Sequence, residues 1–170
     1  IGSVVKGVCT AEIDPNDSHS ILIRYPASFS GEYIRPEIKL EIGPLAAKEP
    51  SEAKRIQSYA AEEFPNLFSE SSCLVRVIRA ERTFWEKVTI LHQEAHRPDD
   101  KPQPRGYSRH YYDMFMMANH AVGAKALQEL ALLSDVVEFK KKYYPRAWAR
   151  YDLAVPGTLR LIPSESIQKA

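Results

Sequence analysis

The pattern of apolar and polar positions divides the chain into a strand-rich first half and a helical second half. Apolar, β-prone runs occur at 4–13, at 21–25 and at 33–42. In the third, Ile38, Leu40 and Ile42 alternate with Lys39 and Glu41. The turn residues Asp14-Pro15-Asn16-Asp17 separate the first two runs, a Ser/Gly stretch at 28–31 follows the second, and Gly43-Pro44 closes the third. The period then changes. Ala53, Ile56 and Ala60 recur at helical spacing between Pro50 and Pro65, which predicts a helix over 51–64. A strand is predicted over 73–78.

The next helix carries the clearest stripe, made of Phe84, Val88, Leu91 and Ala95. Lys87 falls at the edge of that stripe. Arg82, Glu86 and Gln93 fall on the far side and are expected in solvent. Three prolines and alternating charge at 97–106 predict a mobile loop. Helices are predicted over 108–120, 124–133 and 135–144, punctuated by Gly123 and Pro145. In the first, Ser108 is the expected N-cap, and Tyr111, Met114, Phe115 and Ala118 the inward face. A short closing strand is expected over 159–162. Strands with one intervening helix, then helices alone, define an α+β class. The expected division is an α/β core at 1–106 and a helical part at 107–170, packed as one compact unit.

Composition narrows the function. A chain of 170 residues is long enough for a real core. A net charge of +1 excludes a wholly basic nucleic-acid binder and leaves room for a local patch. Cys9 and Cys73 form no CxxC pair, which points to a reducing compartment. No apolar run approaches the roughly 18 residues of a membrane helix, and no signal peptide is evident, so a cytoplasmic protein without a membrane partner is expected. The start at Ile1 rather than Met suggests a piece of a longer protein.

Several side-chain sets bear on chemistry. His92 and His96 lie four apart, but Gln93 stands where the zinc-protease motif has its Glu, so a helix end with His favoured by the dipole is the better reading. Ser108, His110 and Asp113 crowd one turn and lack a nucleophile elbow. Lys140, Lys141, Lys142, Arg146 and Arg150 interleave with Tyr143, Tyr144, Trp148 and Tyr151. That segment is either a solvated helix end or a surface for phosphates and bases. Arg109 and Asp113 share a helix face and are expected to pair. With Lys87 and Glu41 they supply the carboxylate and phosphate-binding cation that phosphoryl transfer uses.

Three blocks carry a resemblance: Tyr33-Ile34-Arg35-Pro36-Glu37-Ile38-Lys39-Leu40-Glu41-Ile42-Gly43, Glu81-Arg82-Thr83-Phe84-Trp85-Glu86-Lys87, and Ser108-Arg109-His110-Tyr111-Tyr112-Asp113. Together they resemble the nucleotidyltransferase toxins of the AbiEii/AbiGii type, in order from about Asp14 to Asp113. The resemblance implies a nucleotidyltransferase-like mixed sheet with flanking helices, followed by a helical part. It implies transfer of a nucleotide from an NTP, with Mg2+, to an acceptor such as tRNA or other RNA, in a toxin–antitoxin or abortive-infection pair with a cognate antitoxin. The alternative is a non-catalytic module of the same fold that binds RNA or the antitoxin.

By the same resemblance Glu41 is a metal-binding carboxylate and Lys87 contacts the phosphates. Lys39 and Arg109 are nucleotide-binding, and Asp113 belongs to the catalytic set. The resemblance does not extend to the last third of the chain; there the basic-aromatic pattern leads us to expect Lys140, Lys141, Lys142, Arg146, Trp148 and Arg150 at an RNA surface. The chain departs from the family in one respect: Gly2-Ser3 is not followed by Asp-x-Asp, so a 170-residue piece by itself is expected to be inactive.

Overall fold

The computed structural model describes residues 7–28, 35–43, 47–104 and 106–165. The chain groups into two compact units, 1–46 and 47–170. The division expected at 106/107 falls inside the second.

In the first unit, strands β1 (Thr10–Asp14), β2 (Asp17–Arg24) and β3 (Glu37–Glu41) form an antiparallel sheet in the order β1-β2-β3. The predicted turn is present. The Asn16 N–H donates to Asp14 Oδ1 at 2.9 Å, and Ser20 Oγ donates to Asp17 Oδ2 at 2.6 Å. This is how a short Asx side chain substitutes for a backbone turn bond. Among the described residues of this unit, Ser20 and Leu22, on β2, are buried. The expected apolar face of β3 is open: Ile38 and Ile42 are more than half exposed. Residues 4–6 and 33–34 of the predicted strands lie outside the described residues.

The second unit begins with a correction. Residues 51–57 are a strand, not the first half of a helix. β4 (Ser51–Gln57) pairs antiparallel with β5 (Ser72–Ile78) along its whole length, from Ser51 opposite Ile78 to Gln57 opposite Ser72. Ala53 and Ile56 are therefore exposed. The β-rich strand at 72–78 needs a ladder partner for its backbone, and that requirement overrides the local helical spacing. Cross-strand bonds follow: Arg55 Nη1 donates to Ser72 Oγ at 3.0 Å, and Arg76 Nε to Ser51 Oγ at 2.8 Å. The helix shrinks to α1 (Tyr59–Glu63), where Ser58 caps the Ala61 N–H at 3.1 Å and Pro65 follows the end. Among the described residues the strands form two small antiparallel sheets, and with the helices that follow they give the expected α+β class.

Helix α2 (Ala80–Ala95) is the centre of the unit. Against it pack α3 (Ser108–Ala118), α4 (Ala121–Gln128) and α5 (Leu130–Tyr143), followed by 3-10 turns at Ala147–Ala149 and Tyr151–Leu153. The predicted stripe is buried at Phe84, Val88 and Leu91, with Leu133, Val136 and Met114 opposite. Because helices surround α2 on several sides, the side predicted to be wet is buried too. Arg82 and Gln93 are buried and Glu86 is half-buried. Trp85 is buried, and its indole N–H donates to the Ala126 carbonyl at 3.2 Å.

Other details of the helical half also differ from the sequence reading. Ser108 is the first residue of α3, and no side chain caps that end. Phe115 and Ala118 are exposed, so the inward face of α3 is Met114, His110 and, in part, Tyr111. Gly123 sits inside α4, where a Cβ would meet the Met117 carbonyl oxygen at 2.8 Å and Ala118 Cα at 2.9 Å. The glycine lets two backbones approach and does not mark a break. The break between α3 and α4 lies at Asn119–His120, and the one between α4 and α5 at Glu129, whose carboxylate is held by Arg79. No strand forms at 159–162; Leu159 and Leu161 pack on the core as an irregular segment.

Candidate functional site

The crossing of α2 and α3 brings together side chains that the sequence separates by more than twenty positions. Lys87 leaves the edge of the α2 stripe, as the wheel predicts, and its side chain is 21% exposed. Its ammonium donates to Asp113 Oδ2 at 2.8 Å and to His110 Nδ1 at 3.1 Å. An ammonium has only donors, so His110 Nδ1 accepts and the imidazole proton sits on Nε2. The Lys87 bond holds the Asp113 carboxyl below the ordinary carboxylate range. Burial first, then the nearby Lys87, pushes His110 down. Next to Lys87, Arg82 Nε donates to Glu86 Oε1 at 3.1 Å, and the guanidinium lies 5.5 Å from the Phe139 ring centre.

The expected Arg109–Asp113 ion pair is replaced. Asp113 pairs with Lys87, and Arg109 is exposed with no ion pair among the described residues. Lys140 is less exposed than Lys141 and Lys142 beside it. On α5 it follows Leu133, Val136 and Val137 at helical spacing, so it continues the buried face, and its half-buried ammonium lies in the field of Glu86 and Lys87. Burial is the main reason its pKa falls to about 8. The signal was available: a Lys at i+4 from one buried Val and i+3 from the next belongs to that face.

The remaining basic residues, Lys141, Lys142, Arg146 and Arg150, are exposed, and each has a local partner. Lys141 donates to Glu138 at 2.8 Å, and Arg150 is paired with Asp152 at 3.0 Å. Trp148 is already attended by Arg97 at 4.7 Å and Arg146 at 5.9 Å, and Lys142 lies 5.1 Å from the Tyr143 ring centre.

In the first unit Glu41 ends β3 with its side chain 76% exposed. Lys39 lies among three carboxylates, 3.2 Å from Asp14, 3.6 Å from Asp17 and 3.8 Å from Glu41. Among the described residues no group of three or more His, Cys, Asp or Glu side chains is placed to hold a metal ion. Glu41 offers one carboxylate, so the described residues do not by themselves make a magnesium site.

The two histidines four apart are structural. The Arg160 N–H donates to His92 Nδ1 at 3.1 Å, so Nε2 carries the proton and donates to the Arg150 carbonyl at 2.9 Å. Both ring nitrogens are occupied, leaving none for zinc. His96 Nδ1 bonds the His92 carbonyl at 2.8 Å. Burial lowers the His92 pKa. Above about pH 6.5 the ring is neutral in both the folded and the unfolded chain. Below that value the unfolded chain takes up the proton first, so stability falls as the solution is acidified. We expect the unfolding midpoint to drop between about pH 7 and about pH 5, and a His92→Gln variant, though less stable, to show a shallower slope. An unchanged slope would assign the effect to another group.

A family model described as nucleotidyl transferase AbiEii toxin, type IV toxin–antitoxin system, matches residues 3–170. The chain belongs to this family of nucleotidyltransferase toxins. No curated protein and no solved structure matches it significantly. The family implies a cognate antitoxin, and among the described residues no helix is long and apolar enough to cross a membrane.

Proposed function

We propose that this chain serves the transfer of a nucleotide from an NTP to an RNA acceptor, tRNA foremost, in the cytoplasm, and that the product arrests growth in an abortive-infection response. In that reaction an acceptor hydroxyl oxygen attacks the α-phosphorus, its proton passes to water, and pyrophosphate leaves with the cleaved bond's electrons. The observation that supports this reading is the Lys87 ammonium, held at 2.8 Å by Asp113 and at 3.1 Å by His110. A cation fixed in advance meets the charge that grows on the departing phosphates without reorganising. Asp113 and His110 are its positioning residues, and Arg109 is an exposed cation on the same helix turn as His110.

Mg2+ enters this reading as the companion of the NTP, with Glu41 as one carboxylate toward it. Among the described residues no further carboxylate joins Glu41 to complete a site for the ion. That same observation favours a second reading, a non-catalytic module that binds RNA or the antitoxin. The experiment incubates the full-length protein with each labelled NTP and total tRNA, with magnesium and with a chelator. Label on RNA in the magnesium arm alone is the expected result. RNA retention without label in any arm would favour the binding module.

A further inference from the structure

The bond from Lys87 settles only one of the two nitrogens of His110. The ammonium donates to Nδ1 at 3.1 Å, which confines the imidazole proton to Nε2. The ring is 7% exposed, and the Tyr107 ring meets it edge-on, with centroids 5.0 Å apart and planes at 84°. Among the described residues Nε2 has no hydrogen-bond acceptor. Among the same residues the Tyr111 hydroxyl alone is both sealed from solvent and without a partner, so the Nε2–H is reached from outside. Burying a polar ring costs free energy that a donor without an acceptor does not offset. Lys87 has the same property. Of its three N–H donors, two go to Asp113 and His110, and the third has no acceptor among the described residues. Neighbouring side chains thus each hold one donor in reserve. Arg109, exposed and without an ion pair among the described residues, follows on the same helix turn, while the Asp113 carboxylate is already met by Lys87. Free N–H groups beside an unpaired cation suit an oxyanion.

We propose that His110 binds the nucleotide directly: its Nε2–H donates to a phosphate oxygen beside the phosphate that Lys87 holds. The two ring nitrogens then have separate tasks. Nδ1 positions Lys87, and Nε2 meets the substrate. A neutral ring suits both. An imidazolium carries protons on both nitrogens, so Nδ1 would turn from acceptor to donor and the bond to Lys87 would break. Burial keeps the ring on the neutral side at about pH 7. The charged groups around it are Lys87 from α2, Arg109 and Asp113 from α3, and Lys140 from α5. The inference rests on the nucleotide reading of Lys87, but binding tests it apart from transfer.

Two substitutions separate the tasks. In His110→Asn the amide oxygen offers an acceptor near the Nδ1 position and leaves no donor at Nε2. In His110→Gln the longer amide carries an N–H to the Nε2 position and leaves no acceptor at Nδ1. The full-length wild type, both variants and Lys87→Met are titrated with inorganic pyrophosphate in a chelating buffer at about pH 7.5. The imidazole nitrogen resonances of isotope-labelled wild type are followed in the same titration, with His110 assigned as the set missing from His110→Asn. His110→Asn should bind pyrophosphate about tenfold more weakly, and His110→Gln should stay within about threefold of the wild type. The His110 Nε2 resonance should move as pyrophosphate binds. The reverse order, with His110→Gln weak and His110→Asn unchanged, would confine His110 to positioning Lys87 and overturn the proposal. So would no pyrophosphate binding by the wild type, or an Nε2 resonance that stays in place at saturation, a result that needs no folded variant. A loss in Lys87→Met with neither His110 variant affected would leave the nucleotide reading standing and remove this inference. The His110→Asn loss and the Nε2 shift, in a protein that labels no RNA, would uphold the inference and remove the transfer reading.

Discussion

Lys87→Met is expected to cut nucleotide transfer about 10²–10³-fold, the loss typical of removing one preorganised donor to a developing charge. Met keeps the length of the apolar stem that lies along the α2 stripe, so the change is confined to the ammonium. Two acceptors are then released. The Asp113 side chain is 39% exposed and takes water in place of the lysine. His110 Nδ1 loses its donor at 3.1 Å, and with it a positive neighbour, so its pKa moves back toward the ordinary value. The exposed part of this ion pair limits the stability cost to about 1 kcal/mol. The measurement is label on RNA per unit time, with a thermal unfolding curve of the same preparation. Undiminished transfer by a folded Lys87→Met protein would take Lys87 out of the site.

The largest stability effect is expected at Glu94, which the sequence reading passed over. This carboxylate is fully buried at the end of α2. It accepts from Arg97 Nε at 2.6 Å, from Arg97 Nη2 at 2.9 Å and from Gln93 Nε2 at 3.1 Å. Gln93 Oε1 in turn accepts from the Tyr151 hydroxyl at 2.9 Å. The network ties the segment after α2 and the turn at Tyr151–Leu153 to the central helix. Glu94→Ala leaves the Arg97 guanidinium, 10% exposed, without its counter-ion. Stranding one member of a buried pair costs about 3–5 kcal/mol. For a chain of this length that corresponds to a fall of roughly 6–20 °C in the unfolding midpoint. Replacing both partners, Glu94→Leu with Arg97→Met, should recover part of the loss, because an apolar pair carries no stranded charge. A midpoint unchanged in Glu94→Ala would show that water reaches Arg97 freely.

Where a side chain's surroundings come from its own element, the sequence was a good guide. The Asx turn at Asp14–Asp17, the strand before α2, the α2 stripe and the position of Lys87 at its edge all follow from local period and turn chemistry. Each was read from residues within one or two turns of one another. The errors have the opposite character. Ser51–Gln57 is a strand because Ser72–Ile78 lies beside it, a pairing that no local window contains. Arg82 and Gln93 are buried because a second layer of helices covers the side of α2 that the wheel left to solvent. Gly123 is required by the approach of another backbone, not by a turn.

The candidate site divides along the same line. The sequence by itself determined the family, the α+β class and the presence of Lys87, Arg109 and Asp113 in their motifs. Motif residues are recognisable by type and spacing alone. Only the tertiary structure decided which of them meet. Asp113 lies four residues from Arg109, yet it pairs with Lys87, because α2 and α3 pack face to face and the ammonium approaches from the buried side. Lys140 is half-buried because it continues the face of α5 that carries Leu133, Val136 and Val137. Ion pairing and desolvation depend on distances between elements, and the order of residues along one chain does not specify those distances.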